Sequence, residues 1–341
     1  MSKIFITDTS LRDGSHSVSH QFTPDDIVKV TGALDRAGID IIELGHGDGL
    51  TGSTINYGFG KHSDYELIRA ASSVIKNAKL AVLLLPGIGT VEDMEKAKEC
   101  GITAIRIATH CTEADVAEQH IKAAKEMGLF TVGFLMMAHF TDVDRLVEEA
   151  LKMESYGADV VYATDSAGAM LPKDVSQKIS ALKKNLKVPI GHHSHNNMGL
   201  AIANSLAAIE AGATYIDGSL SGLGAGAGNT ATDILVAVLN RMNIEHNADL
   251  YKTMDASSEA LLPILEAKGL QPQVNMDAMI LGYAGVYSSF LLHSRRAAKR
   301  FGVDVRDILL EAGRRKAVGG QEDWIIEIAH DLAKLNRNQP I

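Results

Sequence analysis

Lys79-Leu80-Ala81-Val82-Leu83-Leu84-Leu85-Pro86 is an unbroken apolar run that lacks the alternation of a strand with one wet face. It is also far shorter than the roughly 20 residues a membrane helix needs. Such a run reads as a strand buried on both sides, which is the habit of parallel sheets covered by helices. Stretches of similar character recur at 3–8, 39–45, 104–110, 130–138, 159–165, 188–195 and 215–220, each followed by a turn and a helix-length amphipathic segment. Segment 25–37 illustrates the helices: Thr23 suits the N-cap, Pro24 the first turn, and Ile27, Val30, Leu34 and Ala37 form one apolar stripe. Eight such units predict an α/β fold, a (β/α)8 TIM barrel. A doubly wound sheet would show five or six strands and a glycine-rich dinucleotide turn after the first, and no such turn follows Asp8.

Beyond about residue 245 the strand pattern stops and helical spacing takes over, as with Ile325, Ile328, Leu332 and Leu335 on one face. The expected organisation is a catalytic barrel over 1–245 and a C-terminal helical domain over 246–341. Gly282, Tyr283, Gly285, Tyr287 and Phe290 mark its entry, and Gly319-Gly320 precedes the last helix. Composition favours a bundle that completes a core over one that closes the barrel mouth or docks a partner.

The chain of 341 residues is 46% hydrophobic and 22% charged, enough for one barrel with an appendage. Its net charge of −9 argues against nucleic acid and anionic membrane, whose phosphates need clustered Lys and Arg, and leaves small molecules as the expected ligands. Cys100 and Cys111 are the only cysteines, so neither a disulfide framework nor a thiolate zinc site is expected. With no signal-peptide pattern after Met1, a cytoplasmic location is the expectation.

Catalysis in barrels of this kind sits at the C-terminal ends of the strands. That rule retains Asp8, Arg12, Asp13 and His16 after strand 1, Glu43 and His46 after strand 2, and His110 after strand 4. It also retains Asp165 and Ser166 after strand 6, His193 and His195 on strand 7, and the 219–229 loop after strand 8. In Gly191-His192-His193-Ser194-His195-Asn196-Asn197, residues two apart on a strand face the same side, so His193 and His195 point together. They are either hydrogen-bonded barrel histidines or ligands. Strands 1 and 7 both flank strand 8 in a closed barrel, so Asp13 is placed to complete a face of two imidazoles and a carboxylate, suited to Mn2+, Mg2+, Zn2+, Co2+ or Fe2+. Amidohydrolase barrels carry their His-x-His on the first strand and the Asp on the last, the reverse of this order. A Schiff-base aldolase is disfavoured because Lys3, Lys79 and Lys187 stand at strand starts. Within Leu11-Arg12-Asp13-Gly14-Ser15-His16, Arg12 offers a fork of donors to a carboxylate or enolate, and His16 a proton acceptor. The glycine-rich 222–229 loop reads as scaffold before anion cradle.

Leu11-Arg12-Asp13-Gly14 together with His193-Ser194-His195-Asn196 resembles the wider family that includes hydroxymethylglutaryl-CoA lyase. Further motifs make the chain similar to the 4-hydroxy-2-oxovalerate aldolases within it. Among them are Gly45-His46-Gly47-Asp48-Gly49-Leu50, Ala108-Thr109-His110-Cys111-Thr112-Glu113, Gly282-Tyr283-Ala284-Gly285-Val286-Tyr287 and Val318-Gly319-Gly320-Gln321-Glu322-Asp323. The resemblance implies a metal-dependent pyruvate aldolase cleaving a 4-hydroxy-2-oxo acid to pyruvate and a short aldehyde. It implies Asp13, His193 and His195 as ligands of a divalent metal, usually Mn2+, with Mg2+, Co2+ or Zn2+ as substitutes and no organic cofactor. His16 would be the base, Arg12 the enolate stabiliser, and Ser166 and Tyr283 substrate contacts beside Arg12, Asp13 and His193. It also implies a complex with an acylating acetaldehyde dehydrogenase, contacted by the helical tail and fed with the aldehyde through an internal channel. The alternatives are a CoA-dependent lyase or condensing enzyme of the same superfamily, and a silent barrel that only docks a dehydrogenase.

Overall fold

The computed structural model describes residues 2–271 and 276–337. Eight parallel strands close into a barrel in sequence order: β1 Phe5–Leu11, β2 Ile41–Leu44, β3 Lys79–Leu84, β4 Ala104–His110, β5 Phe130–Met136, β6 Val160–Asp165, β7 Ile190–Ser194 and β8 Tyr215–Gly218. This is the predicted (β/α)8 barrel, with every predicted strand in place. Its first covering helix, α2 Pro24–Ala37, follows the single turn α1 Gly14–Ser17 and starts where the sequence placed it. Thr23 accepts from the Asp26 amide while the Asp26 side chain accepts from the Thr23 amide.

β1 runs three residues further than expected because tertiary bonds extend it. The Thr9 hydroxyl donates to Gly218 O at 3.2 Å, and the Ser10 hydroxyl accepts from Leu220 N at 2.7 Å. The register slips between Asp8 and Leu11, and that bulge aims the residues that follow across the barrel mouth.

Most apolar side chains pack between the strands and the helical shell, Ile42, Leu84, Ile107 and Ile190 among them. The barrel's interior is layered. Phe5 and Phe130 stack on Tyr215 at 4.8 and 6.1 Å between centroids near the N-terminal end. Above them Phe134 and Tyr162 flank the guanidinium of Arg106 at 4.3 and 4.7 Å. Gly191 makes room for that layer, since a Cβ there would lie 2.1 Å from the Tyr162 ring.

The helical pattern after 245 does not begin a separate core at once. α10 Leu250–Asp255, a π-helical segment Ala256–Leu261 and α11 Leu262–Ala267 follow, and Ala256, Leu261 and Leu265 belong to the barrel's own cluster. A second cluster opens at Leu281, at the end of α12 Met276–Ala284, and takes in Phe290, Ile308, Leu309, Ile325 and Ile328. These come from α13 Phe290–Phe301, α14 Val305–Arg314 and α15 Glu322–Arg337. Sequence alone marks where strands end, whereas among the described residues the barrel's core still takes in Leu265 and the second core includes Leu281.

Candidate active site

After Leu11 the chain turns sharply, with Arg12 and Asp13 amides both donating to Thr9 O at 3.1 and 2.8 Å. Both side chains are buried, Arg12 to 5% and Asp13 to 3% exposure. Arg12 donates through Nη1 to Asp13 Oδ1 at 2.7 Å and through Nε to Glu43 Oε2 at 2.9 Å. The other oxygen of Asp13 accepts from Asn229 Nδ2 at 2.8 Å and Ala225 N at 3.1 Å. The glycine-rich loop therefore cradles an anion, and the anion is the protein's own carboxylate. Gly224 is required by that approach, because a Cβ there would lie 2.6 Å from Asp13 Oδ2.

From β7, His193 and His195 reach the same face, with ring centroids 5.0 Å apart, while His192 turns away to Ala163 O and Ser194 Oγ. His193 Nδ1 donates to Asp217 Oδ2 at 2.9 Å, which leaves Nε2 as its open lone pair. Asp217 Oδ2 also accepts from Arg106 Nη2 at 2.5 Å, and Arg106 Nη1 donates to Glu43 Oε2 at 3.1 Å. One buried guanidinium thus connects the carboxylate behind Arg12 to the carboxylate behind His193.

Burial alone would raise the pKa of Asp13, but Arg12 and the neighbouring histidines His195 and His193 outweigh it and hold the carboxyl well below the usual range. Asp217 is held down likewise, burial being overcome by Arg106 and His193. Burial pushes His195 to about 4, so the imidazole stays neutral with a lone pair to offer. Asp13, His193 and His195 present ligand atoms all within 4.8 Å of one another. Asn229 Oδ1, bonded through its amide to the same Asp13, is buried without a partner among the described residues. Two imidazoles, a carboxylate and an orphaned carbonyl suit a divalent cation.

These groups open into a cavity of about 510 Å3, lined also by His16, Leu83, Leu85, His110, Ser166, Tyr287 and Glu322. Arg12, Asp13, His16, Ser166, His193 and His195 are thus brought together as the sequence predicts. Tyr283 is not. It is 74% exposed, and Tyr287 lines the cavity in its stead. The reason is local: α12 ends at Ala284, and Gly285 with φ of 68° reverses the chain, so the tyrosine after the turn faces inward. Asp8 and Asp165 are consumed by scaffold, Asp8 accepting from Ser10 N and Thr232 Oγ1, and Asp165 from the Ala169 and Met170 amides.

Sequence reasoning missed Arg106 and Asp217. The signal present was a lone charge amid Ala104-Ile105-Arg106-Ile107-Ala108, a position that tolerates arginine only when it is paired. It also ranked mouth closure by the tail below core completion. Tyr287, Ser288, Val318, Gly319 and Glu322 line the cavity, and Ser288 Oγ accepts from Asn197 Nδ2 at 2.9 Å, so the tail packs a core of its own and also contributes to the cavity wall.

Fold and site define a barrel lyase with its chemistry at the C-terminal mouth and a helical domain folded over it. The HMGL-like family model matches residues 3–259, and the DmpG-like communication domain matches 272–334. The chain is 58% identical over 336 residues to the 4-hydroxy-2-oxovalerate aldolase of Carboxydothermus hydrogenoformans, spanning 98% of this chain and 99% of that one. It is also 58% identical to the enzyme of that name from Geobacillus thermodenitrificans, over 97% and 96% of the two chains. The carboxyl transferase domain of Rhizobium etli pyruvate carboxylase, solved with pyruvate, shares the fold at a TM-score of 0.83 and 17% identity, covering 98% of this chain and 62% of that one. The chain belongs to the HMGL-like family and, within it, to the 4-hydroxy-2-oxovalerate aldolases. Among the described residues no helix is long and apolar enough to cross a membrane.

Proposed function

We propose that this chain cleaves 4-hydroxy-2-oxopentanoate, or a close 4-hydroxy-2-oxo acid, into pyruvate and acetaldehyde or another short aldehyde by a retro-aldol reaction. The observation that carries the reading is the convergence of Arg12, Asp13, His16, His193 and His195 on one cavity of about 510 Å3, in a chain matched over its length by aldolases of that name. Asp13, His193 and His195 would hold a divalent cation, Mn2+ by preference, whose chemistry is to polarise the 2-oxo group.

His16 takes the proton of the 4-hydroxyl. The C3–C4 bond breaks as the C4 oxygen forms the aldehyde carbonyl, and the electron pair moves onto the 2-oxo oxygen as the enolate of pyruvate. Arg12 stabilises that charge. Its Nε and Nη1 are occupied by Glu43 and Asp13, which orients the guanidinium, while Nη2 makes no bond among the described residues. Protonation at C3 then gives pyruvate. Ser166, whose hydroxyl accepts from Met137 N at 3.1 Å, and Tyr287 contact the substrate, the latter taking the role expected of Tyr283.

The tail supports the aldolase over a CoA-dependent relative, because Tyr287, Ser288, Gly319 and Glu322 line the cavity that a long thioester would have to enter. Its communication-type domain and the exposed Leu292 and Ile326 suit contact with an acylating acetaldehyde dehydrogenase. Buried free thiols at Cys100 and Cys111 fit work in the cytoplasm.

Pyruvate release from 4-hydroxy-2-oxopentanoate, coupled to lactate dehydrogenase, tests the reading. Chelator-treated protein should lose turnover and regain it with Mn2+. Full turnover by protein that elemental analysis shows to be metal-free would overturn it.

A further inference from the structure

Beside Asp13, His193 and His195 lies a second group of ligand-type side chains. His16, His20 and Asp48 offer ligand atoms all within 4.8 Å of one another, each half-buried. We propose that they form a second divalent-cation site, suited to Zn2+, whose filling withdraws His16 from proton transfer and so inhibits the enzyme. The inhibitory part rests on reading His16 as the base.

Three observations converge. The first is the state of Asp48. Its side chain is only 16% exposed, with His16 Nδ1 at 3.9 Å and His46 Nδ1 at 3.7 Å, yet its carboxylate accepts no hydrogen bond among the described residues. A cation would give that carboxylate the partner it lacks.

The second is His20. One ring nitrogen is engaged by the Tyr57 backbone, while Nδ1 has only long contacts, Ser15 Oγ at 3.3 Å and Gly47 N at 3.4 Å. Those long contacts leave its Nδ1 lone pair weakly used. His46 differs. Its Nδ1 accepts from Asp48 N at 3.2 Å and its Nε2 donates to Gly58 O at 3.0 Å, so it has no lone pair to spare. It instead stacks on His20 at 3.7 Å and fixes that ring.

The third is access and reach. His16 and Asp48 line both the substrate cavity and an adjoining cavity of about 570 Å3, through which a hydrated ion can enter. Zinc bonds of about 2.0–2.1 Å place tetrahedral ligand atoms on the order of 3.4 Å apart, so with His20 held by His46 the approach falls to His16 and Asp48, the two that line the cavities. Two imidazoles, one carboxylate and a water complete a four-coordinate site, and imidazole prefers zinc to manganese.

The test uses Mn2+-loaded protein exposed to graded Zn2+, with Mn and Zn per chain counted by elemental analysis after gel filtration, and pyruvate release measured on the same samples. Because Zn2+ also competes for the first site, wild type is compared with His20→Asn, and with Asp48→Asn as a second variant for the metal count. Wild type should retain one more Zn per chain than either variant. Half-inhibition of wild type should need at least tenfold less Zn2+ than that of His20→Asn, each measured against its own zinc-free rate. Equal Zn content in wild type and both variants would overturn the site. An extra Zn in wild type that leaves turnover unchanged would leave the cation site standing and overturn the reading of His16 as the base.

Discussion

Asp217 Oδ2 accepts from His193 Nδ1 at 2.9 Å and from Arg106 Nη2 at 2.5 Å, so a single oxygen sets the tautomer of a histidine proposed as a metal ligand and shares the charge of a buried arginine. Asp217→Asn keeps the size and one acceptor but loses the charge that holds His193. Carboxylates in this role are worth about 10- to 100-fold in metal affinity. We therefore expect the Mn2+ dissociation constant to rise by that factor in a competition titration, and an unchanged constant would remove Asp217 from the support of the site. Arg12 makes a different kind of contribution. Arg12→Lys keeps a charge but cannot bond Glu43 and Asp13 while reaching an enolate. Loss of one such donor costs roughly a hundredfold or more in kcat. Steady-state kinetics should show kcat falling far more than KM rises, and a raised KM at constant kcat would reassign Arg12 to ground-state binding.

Among the elements, the β1 terminus shows a carboxylate used for building. Asp8 is fully buried and accepts from Ser10 N and from Thr232 Oγ1 on α9 Thr232–Arg241, linking β1 to the last barrel helix. Burial, only partly offset by those two bonds, raises its pKa to about 6 from an ordinary 3.8. A folded value above the unfolded one means that the group favours the fold fully below about pH 3.8 and that this contribution is lost as pH rises through about 6. The shift corresponds to about 3 kcal/mol. Asp8→Asn should therefore fare better against wild type at pH 7.5 than at pH 4.5, by about 2 kcal/mol in denaturant unfolding, since part of the shift is already expressed at pH 4.5. An equal gap at both pH values would show that Asp8 titrates near its ordinary value. At this scale the sequence was most readable. Apolar runs marked the strands, and Thr23 with Asp26 marked the start of α2, because both signals lie within a few residues of one another. The extension of β1 to Leu11 was not readable, since it depends on bonds from Thr9 and Ser10 to residues more than 200 positions away.

For the whole molecule, the tail lines the cavity and leaves apolar side chains exposed, Leu292 at 51% and Ile326 at 49%. Exposed apolar residues on a domain of the communication type suit a protein partner. Leu292→Glu with Ile326→Glu should abolish co-elution with an acylating acetaldehyde dehydrogenase in gel filtration. Pyruvate release from free substrate should stay within about twofold, since neither residue touches the reacting atoms. Retained co-elution would place the contact elsewhere on the surface.

By itself the sequence determined the strand count, the parallel order, the placement of candidate residues at strand ends, and the shared direction of His193 and His195. Each of these is written in spacings of two to four residues, which the backbone's own periodicity turns into geometry. Only the tertiary structure decided which charges meet. Arg106 bonds Glu43 and Asp217 across 63 and 111 residues of chain, and Asn229 reaches Asp13 across 216. It also decided that Tyr287, not Tyr283, faces the cavity. Such pairings exist only once the barrel has closed and the tail has folded over it, because the distances that set them run through space and not along the chain.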